Sequence, residues 1–124
     1  MYATDIKKLT EENTNFRTVL HTGQHSQIVA MSIPVGGDIG EETHEDTDQM
    51  LFFVDGEGEA ILSGETRKVE EHDVVFVPAG TTHNFKNVGD EDLKLFTVYA
   101  PPEHPDGTVH KTKAEAEAAE DKYE

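Results

Sequence analysis

Short runs of apolar and β-branched residues recur roughly every ten positions, and none before the C-terminal stretch has the length of an amphipathic helix. Asn15 to Leu20 (NFRTVL) and Gln27 to Ile33 (QIVAMSI) predict two strands, split by the turn-forming Thr22-Gly23. Beyond Pro34 and Gly36-Gly37 a polar stretch runs to Asp48. Met50 to Val54 (MLFFV) then predicts another strand, too short for a helix. Glu59 to Leu62 and Thr66 to Val69 read as a hairpin around Ser63-Gly64-Glu65. Asp73 to Val77 is stopped by Pro78, which has no N–H to give a ladder, and Thr82 to Val88 and Leu93 to Tyr99 complete the set. Regular short strands with Gly and Pro turns predict an all-β antiparallel architecture, closed or in two sheets. Pro101-Pro102 end the last strand. Thr112 and Glu115 have capping-box spacing before Ala114 to Ala119, which predicts a short C-terminal helix.

Composition narrows the chemistry. The chain of 124 residues fits one domain, and its 10 Lys plus Arg against 26 Asp plus Glu give a net charge of −16. Such acidity repels phosphate backbones and anionic membranes, so no nucleic-acid partner and no membrane partner are expected. There is no cysteine, which removes disulfides, thiolate metal sites and cysteine nucleophiles together. Any metal must be held by nitrogen and oxygen. The segment Met1 to Thr10 lacks the apolar run of a signal peptide, and a cytoplasmic location is expected.

Seven histidines make metal ligation or proton transfer the natural question. Glu42 and His44 are two apart, so on an extended chain both face the same way. Gln49 opens the next strand with Leu51 and Phe53 on its face. His83 follows the Pro78-Ala79-Gly80 turn with Phe85 on its side. Together these supply two imidazoles, a carboxylate and an amide oxygen, a set suited to a divalent transition ion. Asp48 competes with Gln49 as a better cation ligand, but alternation turns it the other way. His21, His25, His72 and the run Glu45 to Asp48 read as solvated surface. His104 and His110 flank the Asp106-Gly107 turn; a tail folded back over the barrel mouth would bring one near a substrate, and neither is counted as a ligand. Leu51, Phe53, Phe76, Phe85 and Phe96 are the expected apolar lining, with Tyr99 a polar contact. No phosphate-cradling Gly loop or serine-nucleophile signature appears.

The spacing Gly36-x5-Glu42-x-His44-x4-Gln49-x6-Gly56, followed by His72-x5-Pro78-x-Gly80-x2-His83-x3-Asn87, resembles the paired motifs of the cupin superfamily. Those motifs read G-x5-H-x-H-x3,4-E-x6-G and G-x5-P-x-G-x2-H-x3-N. The resemblance spans roughly residues 25 to 100, and the tail from Pro101 to Glu117 resembles that of small bacterial single-domain cupins. His44 and His83 match outright. Glu42 stands where the first His is expected, Gln49 where the Glu is expected, and His72 where the second motif opens with Gly.

The resemblance implies a double-stranded β-helix, or jelly-roll barrel, with its core over about residues 15–100 and a tail over 101–124. It implies a divalent metal (Fe, Mn, Zn or Ni) on Glu42, His44, Gln49 and His83, acting on a small oxygen-rich metabolite. Oxygenase, isomerase, decarboxylase and lyase chemistry all occur on such sites, so the scaffold selects none of them. A non-catalytic small-molecule binding or sensor barrel is the rival reading. A homodimer is expected, because an open jelly roll must cover its sheet edges.

Overall fold

Alternation of inward and outward side chains builds the barrel. In the strand Asp48–Asp55 the residues Gln49, Leu51 and Phe53 are buried and their neighbours are not. The facing strand Leu93–Ala100 buries Leu93, Leu95, Thr97 and Tyr99 in the same rhythm. The computed structural model describes residues 1–123. Its strands are β1 (Arg17–Thr22), β2 (Gln27–Ile33), β3 (Asp48–Asp55), β4 (Glu57–Leu62), β5 (Glu65–Glu70), β6 (Val74–Val77), β7 (His83–Asn87), β8 (Leu93–Ala100) and β9 (Val109–His110), with helices α1 (Ile6–Glu12) and α2 (Lys113–Tyr123).

A six-stranded sheet in the order β6-β3-β8-β2-β1-β9 faces a three-stranded sheet in the order β5-β4-β7. Every strand pair is antiparallel. This is the jelly-roll barrel with a C-terminal helix that the sequence predicts. Val29, Met31, Ile33, Leu51, Phe53, Val69, Phe85, Leu93 and Leu95 fill the space between the sheets.

The segment after β2 has a part that its polar composition conceals. It runs along the free edge of β7, where Asp38 bridges to Lys86 and Glu42 to His83. Ile39 N donates to Phe85 O, and Glu42 and His83 exchange both backbone hydrogen bonds at 2.9 Å. The small sheet is thereby extended by a strand-like margin that carries the candidate site.

Two glycine positions of the sequence motif have clear backbone reasons. Gly56 has φ +91°, and a Cβ there would meet Asp92 O at 2.7 Å. At the position where the motif expects Gly, His72 adopts φ +76°. That left-handed backbone is the reason glycine is favoured there; here an imidazole tolerates it at some cost. The His72 side chain is 86% exposed, as expected of a solvated histidine.

Three elements depart from the sequence reading. Helix α1 was not expected; Asp5 caps it by accepting from Lys8 N, and it packs on the outer face of β2, β3 and β8. Strand β9 brings the tail back to pair with β1. Phe76 and Phe96 are not barrel lining. Phe76 sits between the inward-facing Val75 and Val77 and is 52% exposed, while Phe96 pairs with Phe52 on the outer face, their rings stacked at 4.8 Å. Strand parity, not apolar character, decides the face. The helix α2 begins at the predicted cap, where Glu115 N donates to Thr112 Oγ1, while Glu115 Oε2 accepts from Lys111 N, one residue before the N-cap.

Candidate metal centre

Two loops, far apart in the chain, meet at one end of the barrel. Besides the paired backbone of Glu42 and His83, Gly80 N donates to His44 O at 2.8 Å and Ala79 N donates to Asp48 Oδ1 at 2.9 Å. Asp48 is thus occupied with the Pro78-Ala79-Gly80 turn, as strand alternation predicts for the residue beside Gln49.

Glu42, His44 and His83 each place one ligand atom within 4.8 Å of the others. His83 is 3% exposed, and its Nδ1 lies 2.8 Å from Thr81 O. A carbonyl only accepts, so Nδ1 carries the proton in a neutral ring and Nε2 keeps its lone pair. His44 Nδ1 lies 3.2 Å from Glu103 Oε1, which turns Nε2 toward Glu42.

There His44 Nε2 stands 2.9 Å from Glu42 Oε2 but is buried without an aligned hydrogen-bond partner. Two ligands at right angles on one ion, each at about 2.1 Å, would be about 3 Å apart. The distance fits a charged hydrogen bond as well as two donors on one cation; the misalignment is what favours a shared cation.

Gln49, 2% exposed, is tied to this group through Tyr99. Its Nε2 donates to Thr97 Oγ1 and Tyr99 OH, both at 3.2 Å. The Thr97 hydroxyl gives its own proton to Met50 O, so it accepts from the amide, and that fixes which end of the amide is nitrogen. Gln49 Oε1 is left buried with no hydrogen-bond partner. Tyr99 connects the pieces, its ring edge-on to His44 at 5.9 Å and to His104 at 5.1 Å. The structure therefore brings Glu42, His44 and His83 together and sets Gln49 next to them through Tyr99. The donors present fit a divalent ion: two imidazoles, one carboxylate, and an amide oxygen otherwise unsatisfied.

The electrostatics follow from these contacts. Glu103, and then Glu42, raise His44 to about 9 against its burial. Burial opposes ionisation of Glu42, yet His44, Arg17 and His83 together hold its carboxyl below the usual range. Glu103 is lowered chiefly by its hydrogen bond to His44. Burial, with Arg17 adding to it, pushes His104 down to about 3.

Glu103, Gln27 and Arg17 carry no motif and were not singled out from the sequence. Gln27, 1% exposed, seats the tail: its Oε1 accepts from Glu103 N and His104 N, and its Nε2 donates to His104 O and Thr22 Oγ1. The tail thus folds back as one sequence expectation allowed. His104 Nε2 ends buried and without a hydrogen-bond partner, and His110 Nδ1 lies 3.3 Å from Arg17 Nη1.

Barrel topology and a histidine–carboxylate cluster at one end define a cupin-type barrel. The family model described as cupin domain matches residues 29–99, and the chain belongs to the cupin family. It is 45% identical over 127 residues to the uncharacterized protein YrkC of Bacillus subtilis, spanning 97% of this chain and 68% of that protein. The crystal structure of BH2720 from Bacillus halodurans superposes with a TM-score of 0.93 at 42% identity, covering 94% of this chain and 93% of that one. A Thermotoga maritima structure described as a predicted oxalate decarboxylase has a TM-score of 0.60 at 25% identity, covering 64% of this chain and 69% of that one. Among the described residues, no helix is long and apolar enough to cross a membrane.

Proposed function

We propose that this protein is a metal-dependent cupin enzyme that acts on a small oxygen-rich metabolite at the Glu42, His44 and His83 cluster. The observation that carries the reading is the convergence of those three donors from two separate loops onto one point. Gln49 would complete the set through its unpartnered Oε1. A bound divalent ion would supply Lewis acidity, or electron transfer if redox-active, at a substrate oxygen.

The chain's own groups prepare that position. Glu103 fixes the His44 tautomer and ring direction, and Thr81 O does the same for His83. Tyr99 and Thr97 hold Gln49 by its nitrogen, so its oxygen faces the other way. Leu51, Phe53 and Phe85 keep the adjoining interior dry. The description of the Thermotoga maritima structure as a predicted oxalate decarboxylase supports a small oxygen-rich acid as substrate class. Pairing of two copies belongs to the same reading, supported by the edge strand β6, where Val74 and Phe76 are each 52% exposed.

Elemental analysis of the purified protein beside Glu42→Ala, His44→Ala and His83→Ala tests the assignment. Wild type retains a stoichiometric divalent metal and each variant loses most of it. Metal retained in all three would overturn the reading.

A further inference from the structure

Arg17 is 2% exposed, although it opens a strand near the edge of the large sheet. The register explains why. Arg17 pairs with Met31, Met31 with Leu95, and Leu95 with Phe53, so the four share the inner face of the barrel. The guanidinium carbon lies 5.4 Å from the Phe16 ring centroid, and Nη1 lies 3.3 Å from His110 Nδ1. A guanidinium only donates, so His110 accepts there and its ring is neutral. Nε is buried with no hydrogen-bond partner.

Among the described residues, no carboxylate lies within ion-pair distance of Arg17. This is not for want of acids, since the chain has 26 Asp plus Glu. A permanently charged group buried with no carboxylate in contact is strongly unfavourable. Gln49 has the same parity on β3 as Phe53, so the guanidinium and that candidate ligand face one barrel interior.

We propose that Arg17 is the anion-binding residue of this barrel, its guanidinium receiving a carboxylate of the small molecule that reaches Glu42, His44 and His83. The neighbouring ion is part of the function proposed above, but the anion site is built by Arg17 alone and is testable without metal. A planar guanidinium with an unused Nε–H matches a carboxylate better than a neutral oxygen, and the apolar surroundings strengthen the pairing. The ligand is thus an organic acid, neither a neutral sugar nor an amine.

Malonate and its neutral counterpart malonamide, titrated calorimetrically into chelator-treated protein, test this directly. Wild type binds malonate and not malonamide. Arg17→Met weakens malonate binding by about 10- to 100-fold, the worth of a charge-assisted hydrogen-bonded pair, and Arg17→Lys falls between the two. Cobalt(II), added to the same proteins, still binds Arg17→Met, which shows that the ligand cluster is intact in the variant. In case the variants misfold, the Arg17 Nε–H resonance of wild type provides a second readout, and it shifts on adding malonate. Equal affinity for malonate and malonamide, an Arg17→Met affinity within twofold of wild type, or an unmoved Nε–H resonance would each overturn the proposal. Failure of wild type to bind cobalt would instead count against the metal site and leave the malonate result to stand by itself.

Discussion

Glu103 Oε1 meets His44 Nδ1 at 3.2 Å, and so the tail beyond the last long strand orients an imidazole of the metal centre. Thr47 Oγ1 donates to the other carboxylate oxygen at 3.3 Å, fixing the carboxylate from a second side. Removing such an outer partner usually costs metal affinity. Glu103→Ala is expected to weaken cobalt(II) or zinc(II) binding by about 10- to 100-fold, with a smaller loss for Glu103→Gln, which keeps an acceptor. Competition titration against a chromophoric chelator measures both.

Metal binding is expected to release a proton. With His44 raised to about 9, first by Glu103 and then by Glu42, the metal-free ring is protonated at neutral pH and must lose that proton to become a ligand. Between pH 7 and 9 the apparent affinity should rise by about tenfold per pH unit and then level. For the metal-free fold the sign is opposite. A raised folded pKa contributes stability that is complete below the unfolded value of 6.5 and is lost as pH rises through about 9. Calorimetry in buffers of different ionisation enthalpy counts the protons, and a pH-independent affinity would contradict the assignment.

Gln27, on β2, uses both ends of its amide to hold the tail and to bond Thr22 of β1. Gln27→Ala strands two backbone N–H groups and is expected to cost about 2–4 kcal/mol of stability. Hydrogen exchange should show the loss concentrated in residues 103–110, and metal affinity should fall with it, because Glu103 then loses its seat. Urea unfolding gives the magnitude.

Two turn positions should respond in opposite directions. Gly56→Ala puts a methyl 2.7 Å from Asp92 O on a backbone with φ +91°, and is expected to destabilise by about 2–4 kcal/mol. His72→Gly relieves a left-handed residue at φ +76° and should stabilise by about 0.5–1 kcal/mol, after the greater freedom of glycine in the unfolded chain is deducted. Thermal unfolding of the two variants beside wild type decides both.

Much of this architecture was legible because strands keep parity. Gln49 was separable from Asp48 by counting alternate positions along the strand, and the structure buries Gln49 while Asp48 accepts from Ala79. The same counting, applied to Phe76 and Phe96, would have placed both outside; judging them by apolar character alone set them in the barrel. Helix α1 was missed because seven residues rich in Lys and Glu hold too little periodicity, although Asp5 with Lys8 offered a capping signal. Glu103, Gln27 and Arg17 were illegible for another reason. Their roles come from contacts across the whole chain, and a lone glutamate, glutamine or arginine in a strand or tail carries no local pattern that announces them.

The doubled backbone link between Glu42 and His83 means that the main chain, not the side chain, sets where position 42 lies. Residue type there is then free to vary without moving the address. An imidazole in place of the carboxylate, as in Glu42→His, would occupy the same spot and change only the formal charge and softness of the donor set. A lineage built on this scaffold could retune its preference among ions one substitution at a time, with the barrel untouched.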